Sequence, residues 1–362
     1  MPQPRSICER PEPPATPAAQ VVVLGMHRSG TSVLTGLLRL LGLWAGAEDD
    51  FPPADDHNRA GYWEHRGVWS VDEEILQALG ASWSEIADLD LSRLDESLRA
   101  RFRERAREVV RDLDRHGSWV VKDPRLCLLF PFWREVLEHP FCVLIYREPL
   151  PVARSLAARD GISIPYGIAL WERYTREALA STRGLPRLLI SHRELMADPA
   201  AILHRLHGHL VQLEGPQLAR LHLPAAEEIR AVVDPALVHH PHEPESERLY
   251  FTPPQLDLLN ALANGTALDL DPVPPLSPGA RDLLAAHQRL LATTRDLHRA
   301  LSWLDELDAI VSAILDSRSW KIGRAITAAM RRLRGRPRIS AAEHRDRLMA
   351  KARSWRQGDA GE

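Results

Sequence analysis

Apolar positions change period repeatedly along this chain. Residues 21–24 form a short continuous apolar run, and Val33, Leu34, Leu37, Leu38 and Leu41 then return at intervals of three and four. A buried strand followed by a helix is predicted, joined by the loop Gly25-Met26-His27-Arg28-Ser29-Gly30. The succession recurs. Trp119-Val120-Val121 runs into Lys122-Asp123-Pro124-Arg125; Phe141-Cys142-Val143-Leu144-Ile145-Tyr146 runs into Arg147-Glu148-Pro149 and a helix through Ser155; residues 187–190 run into Ser191-His192-Arg193. Helical patterns cover residues 68–79, 94–113, 132–138, 169–181 and 252–263, with helix and turn over 200–233. Strands alternating with helices predict an α/β fold whose parallel sheet is flanked by helices, with charged residues at successive strand ends on the ligand edge.

Further on, residues 269–279 carry Pro272, Pro274, Pro275 and Pro278 and read as a linker, and 280–315 as nearly unbroken helix with an apolar seam from Leu283 to Leu315. Such a seam suits a coiled coil or a helix laid on the main domain, and offers a surface for a second copy or another protein. Arg331, Arg332, Arg334, Arg336 and Arg338 then make a basic tract, read equally as a contact with an acidic membrane face or as a soluble end. The expected organisation is a disordered leader at 1–19, a main domain at 20–268, a linker at 269–279, a helical or coiled-coil extension at 280–335 and a basic flexible tail at 336–362.

Composition narrows the class. At 362 residues and 44% apolar content the chain can build a sizeable core, and 46 Lys plus Arg against 49 Asp plus Glu leave a net charge of −3. Nothing globally basic points to nucleic acid, so any anion site is local. Cys8, Cys127 and Cys142 show no metal spacing, and with no apolar leader or membrane-length run the expected location is cytoplasmic, with peripheral membrane contact through the basic tract as an addition. His239-His240-Pro241-His242 lacks a carboxylate or cysteine at ligand spacing and reads as a loop; no metal is expected.

The first loop carries the chemistry. Converging loop amides and a helix N-terminus hold a phosphate or sulfate. Against the Walker pattern, Gly25 and Gly30 have four residues between them and Ser32 is in place, but Thr31 stands where the lysine belongs, which argues against ATP hydrolysis. A cation sits inside the loop instead, at Arg28. His27-Arg28-Ser29-Gly30-Thr31-Ser32 resembles the 5′-phosphosulfate loop of sulfotransferases, which move a sulfuryl group from PAPS (3′-phosphoadenosine 5′-phosphosulfate) to an acceptor. The resemblance covers about the first 215 residues and implies the P-loop-like sulfotransferase fold for the main domain.

Several roles come with that resemblance. Arg147 and Ser155, eight apart, are similar to the pair that grips the 3′-phosphate of PAPS, with Arg154 and Arg159 as reserves. Arginine's fork of donors suits phosphate oxygens. Lys122 matches a lysine that assists near the transferred group, and Asn58-Arg59-Ala60-Gly61-Tyr62-Trp63-Glu64 resembles a segment whose glutamate acts as general base in some members, with His65 a competitor. Asp123 either accepts the proton or fixes Lys122; Arg125 either meets an acidic substrate group or pairs with Asp123. His192 is expected to pack or cap. Residues 317–323 resemble a segment that ends coiled regions in bacterial glycosyltransferases, which makes such an enzyme a candidate partner for the C-terminal helix.

The implied reaction passes a sulfuryl group to a hydroxyl, on a glycan or glycolipid among other acceptors. PAPS is the co-substrate and no metal is required. Arg28, Glu64, Lys122 and Asp123 are the candidate catalytic residues; His27, Arg28, Ser29, Gly30, Thr31, Ser32, Arg147 and Ser155 the candidate PAPS ligands. The alternatives are a P-loop nucleoside or sugar kinase and a non-catalytic module of a polysaccharide-assembly machine.

Overall fold

A computed structural model describes residues 19–51, 63–213, 221–233, 250–334 and 345–350. Residues 1–18 of the expected leader, the stretch 58–62, the histidines 239–242 and most of the basic tail lie outside the described residues. The chain divides into two compact units at His287 and Gln288.

In the first unit the elements run as β1 (Gln20–Leu24), α1 (Thr31–Leu40), α2 (Arg66–Ala78), α3 (Glu96–Asp114), β2 (Trp119–Lys122), α4 (Leu126–Trp133), β3 (Pro140–Tyr146), α5 (Pro149–Asp160) and α6 (Ile164–Ser181). Then come β4 (Arg187–Ser191), α7 (His192–Ala197), α8 (Pro199–Val211), α9 (Ala226–Val232), α10 (Pro253–Ala263) and the start of α11 (Pro278–Asp316). The four strands are parallel in the order β2-β1-β3-β4, and Val22 of β1 lies opposite Val121 on one side and Cys142 on the other.

Alternation along the strands builds two apolar layers. Val22, Leu24, Val121, Cys142 and Leu144 face a core shared with α2, α3, α4, α6 and α10. Val21, Val23, Val120, Phe141, Val143 and Ile145 face one shared with α1, α8 and α9. Because β1 is flanked by β2 and β3, the strand order reverses beside it, and the carboxyl ends of β1 and β3 form the switch point at which open α/β sheets bind ligands.

Two helices begin earlier than periodicity indicates. α4 occupies Leu126–Trp133 rather than 132–138 because the Arg125 amide donates to Asp123 Oδ1 at 2.8 Å and turns the chain straight into helix. Residues 126–130 are buried or nearly so all round, so no polar face marks them as helical. α6 starts at Ile164, with Pro165 in the first turn, where proline's missing N–H is no loss.

The proline-rich stretch is fastened to the first unit. Fully buried Glu172 of α6 accepts from the Ser277 amide at 2.9 Å, Ser277 Oγ at 2.8 Å and Gln255 Nε2 at 3.0 Å, and pairs with Arg176 Nε at 2.9 Å. A buried carboxylate needs this full set of donors. The start of α11 adds Ala280 and Leu284 to the core, and His287 lies 3.9 Å from the Tyr166 ring, centroid to centroid.

In the second unit the remainder of α11 leaves Leu290, Leu297, Leu307, Ile310 and Ile314 exposed. A one-residue break at Ser317 leads to α12 (Arg318–Leu333), which Ser317 caps by accepting from the Trp320 amide at 3.2 Å. Arg345, at the start of the helical residues 345–350, donates to Ser312 of α11 at 2.8 Å. Among the described residues no helix is long and apolar enough to cross a membrane.

Candidate active site

The loop after β1 leaves the sheet through a gap that only glycine fits. A Cβ on Gly25 would stand 2.7 Å from the Ile145 carbonyl oxygen of β3 and 2.9 Å from the Thr31 methyl. Gly30 (φ 88°) and, without a glycine's freedom, Arg28 (φ 67°) take the left-handed conformation, and the Ser29 amide donates to the Met26 carbonyl at 3.1 Å. The first-turn amides of α1 have no side-chain cap among the described residues.

Residues distant in sequence meet on this loop. Arg28 Nε donates to Ser155 Oγ at 2.8 Å, and Arg147 Nη1 donates to the Arg28 carbonyl at 3.2 Å. Arg147 stands at the tip of β3, its own carbonyl held by Trp171 Nε1 at 3.0 Å. Burial lowers the Arg147 pKa, and Arg28 adds to the shift.

From the end of β2, Lys122 reaches the same loop. Its Nζ donates to Ser32 Oγ at 3.1 Å and to Glu64 Oε1 at 2.5 Å. The other carboxylate oxygen of Glu64 is buried without a hydrogen-bond partner among the described residues. Asp123, fully buried, accepts from the Arg125 amide at 2.8 Å and from Arg125 Nη1 at 3.1 Å, while Arg125 Nε lies 3.2 Å from Glu73. Burial raises the Asp123 pKa, and Glu64 pushes the same way.

His27 lies between Trp83 and Tyr174, with ring centroids at 4.6 and 5.8 Å. Burial, and then Arg125, Arg159, Lys122 and Arg28, hold its pKa well below the usual range, so the imidazole is neutral. Its Nε2 and the Ser29 hydroxyl are both buried without a hydrogen-bond partner among the described residues. Orphaned polar atoms carry a desolvation cost of about 1–3 kcal/mol each, which a bound ligand offering hydrogen bonds would remove.

No protein-family model matches the chain, and no curated protein matches it. Among solved structures, it is similar to the sulfotransferase domain from the Synechococcus PCC 7002 olefin synthase, at 16% identity over 75% of this chain and 94% of that one, with a TM-score of 0.37. The sulfotransferase domain from the curacin biosynthetic pathway shares 15% identity over 74% of this chain and 96% of that one, with a TM-score of 0.35. Sulfotransferase STF9 from Mycobacterium avium shares 16% identity over 70% of this chain and 76% of that one, with a TM-score of 0.40.

Three features of the site carry no signal in the sequence, or only a structural one. His192, the first residue after β4, packs over the loop so closely that a Cβ on Gly30 would lie 2.5 Å from its ring, and burial together with Arg147 lowers its pKa to about 3. Its strand-end position is the available clue. Asp72 accepts from Trp133 Nε1 at 2.6 Å within the same buried cluster as Asp123, and burial followed by the Asp123 charge raises its pKa well above the usual carboxylate range. Lastly, a cleft of about 540 Å³ runs along α1 from Ser32 to Arg39 and on to Trp44, with Trp63 on its wall. The Arg39 guanidinium covers Trp63 at 4.1 Å, and Trp44 stacks on His116 at 4.4 Å. Contacts between such distant residues are invisible to local periodicity.

Proposed function

We propose that this chain is a sulfotransferase that uses PAPS and passes the sulfuryl group to an acceptor hydroxyl. The observation that carries the reading is the junction of Arg28, Ser155 and Arg147, at 2.8 and 3.2 Å, on a glycine loop that lacks the Walker lysine. A donor with a 5′-phosphosulfate and a 3′-phosphate asks for two anion subsites side by side, and the chain supplies two arginines and a hydroxyl where these would meet.

PAPS supplies an activated sulfuryl group, and its departure to the acceptor oxygen leaves adenosine 3′,5′-bisphosphate. The loop amides, His27, Ser29, Thr31 and Ser32 would hold the 5′ side; Arg147 and Ser155 would hold the 3′-phosphate. Charge grows on the leaving oxygen, where Arg28 and Lys122 offer fixed donors, each worth roughly 3–4 kcal/mol by analogy with preorganised oxyanion sites. Neutral His27 can donate through Nε2 without adding charge to an already cationic pocket. Glu64, with one oxygen on Lys122 and the other unpartnered, is the proposed base for the acceptor proton. Asp123, committed to Arg125, is assigned to orienting that arginine. The cleft from Ser32 past Trp63 is the proposed acceptor entrance, and its aromatic rings and the Arg39 cation suit a carbohydrate or glycolipid acceptor.

Isothermal titration with adenosine 3′,5′-bisphosphate, with and without magnesium, tests the reading. Tight binding independent of magnesium is expected. Binding of ATP that requires magnesium would instead favour the kinase, and binding of neither nucleotide the non-catalytic module.

A further inference from the structure

The second unit carries a helix whose chemistry the catalytic reading does not use. α12 has no buried residue. At 100° per residue, Ile322, Ile326, Ala329, Met330 and Leu333 gather on one face, and Arg324 and Arg331 lie opposite, with Lys321 and Arg332 on one flank and Arg334 beyond the other. Ile322, Ile326, Met330 and Leu333 are all exposed, Leu333 at 87%. From Ser317 to Ala342 the sequence contains no aspartate or glutamate, in a chain whose overall charge is −3.

We infer that α12 is a docking helix for an anionic lipid bilayer, lying in the surface plane with its isoleucine, methionine and leucine face in the acyl boundary. Charge complementarity selects this occupant. A second copy would bring a helix of the same sign against this one, with no acidic flank to answer its arginines, unlike paired coiled-coil helices whose flanking positions carry both signs. Nucleic acid would satisfy the cations but leave the apolar face in water. An anionic bilayer satisfies both at once, with the arginines at the headgroups and the aliphatic stem of Arg332 extended along the apolar boundary, while Lys321 pairs with Asp316 at 3.5 Å. At 16 residues the helix is about 24 Å long, too short and too charged to span the membrane. The inference extends the basic-tract reading to the helix before it, and it does not depend on the sulfuryl-transfer reading.

Cosedimentation of the full chain with vesicles tests it, using phosphatidylcholine alone and phosphatidylcholine with about 30% phosphatidylglycerol. Binding to the anionic vesicles only is expected, with release as salt rises from about 0.1 to 0.5 M, since the Debye length shortens across that range. Ile326→Glu with Met330→Glu should abolish it. Arg324→Gln, Arg331→Gln and Arg332→Gln together keep the apolar face and should weaken binding on the order of a hundredfold, several-fold per cation. An unchanged thermal melt shows that each variant is folded. No sedimentation with either vesicle, equal sedimentation with both, or unchanged binding by either variant overturns the inference. So does duplex DNA binding, or dimerisation lost in the glutamate variant, without vesicle binding.

Discussion

Lys122 Nζ stands 2.5 Å from Glu64 Oε1, although the two residues are 58 positions apart, and Lys122 is only 1% exposed. The pair joins the end of β2 to the entrance of α2 beside the loop that follows β1, and leaves Glu64 one oxygen unpartnered among the described residues. Glu64→Gln keeps the shape and the acceptor for Lys122 but removes the proposed base. Turnover should fall by about 10²- to 10⁴-fold with adenosine 3′,5′-bisphosphate binding retained. Calorimetry beside a sulfuryl-transfer assay checks this, and undiminished turnover would move the proton to another group. Lys122→Met should harm stability as well, by about 3–5 kcal/mol, because it strands the Glu64 carboxylate in a mostly dry site.

Ser155 and Arg147 can be tested by comparing two ligands that differ by one phosphate. If they hold the 3′-phosphate, Arg147→Ala lowers affinity for adenosine 3′,5′-bisphosphate by roughly 1.5–3 kcal/mol, about ten- to a hundredfold, and affects 5′-AMP much less. Equal losses for both ligands would mean that Arg147 acts only through the Arg28 carbonyl, which it also binds. Ser155→Ala should show the same selectivity with a smaller loss.

Most of the scaffold and much of the candidate site are legible in the chain, for a physical reason. Parallel strands buried on both faces are continuous apolar runs, and the residues just beyond each strand fall at the ligand edge. Strand ends therefore place Lys122 and Arg147, and the glycine-bounded loop after β1 places Arg28. Side chains that meet through space are not legible: Arg39 over Trp63, Asp72 on Trp133 and Glu172 on Ser277 have no local period to betray them. α4 starts earlier than its pattern suggests for the converse reason. A helix apolar all round has the same composition as a strand, and only the Asp123 turn, a tertiary feature, fixes its start.

His192 gives the fold an acid-sensitive contact. Its pKa is about 3 when folded and about 6.5 when unfolded, so the unfolded chain takes up a proton over that window and the native one does not. Its contribution is present above about pH 6.5 and is lost as the pH falls towards 3. His192→Gln should flatten the pH dependence of stability in that range, by at most about 1.4 kcal/mol per pH unit. His27 has the same sign and remains in the variant, so the slope diminishes without vanishing. Denaturant titrations at several pH values measure it, and parallel curves for the two proteins would refute the assignment.

Asp72 carries the opposite sign. Burial and the neighbouring Asp123 raise its folded pKa, so its contribution is complete below about 3.8 and is lost as the pH rises through the folded value. Asn at 72 keeps an oxygen for the Trp133 indole and has no proton to lose. Asp72→Asn should thus gain stability relative to the natural protein as the pH rises from about 4 towards neutrality. Asp72→Leu, which also has no proton to lose but leaves the indole N–H unsatisfied in the core, should be about 1–3 kcal/mol less stable than Asp72→Asn at every pH. If the Asn variant instead lost stability steadily with rising pH, Asp72 would have to be ionised in the fold. A cation from this cluster, Arg125 first, would then be its partner.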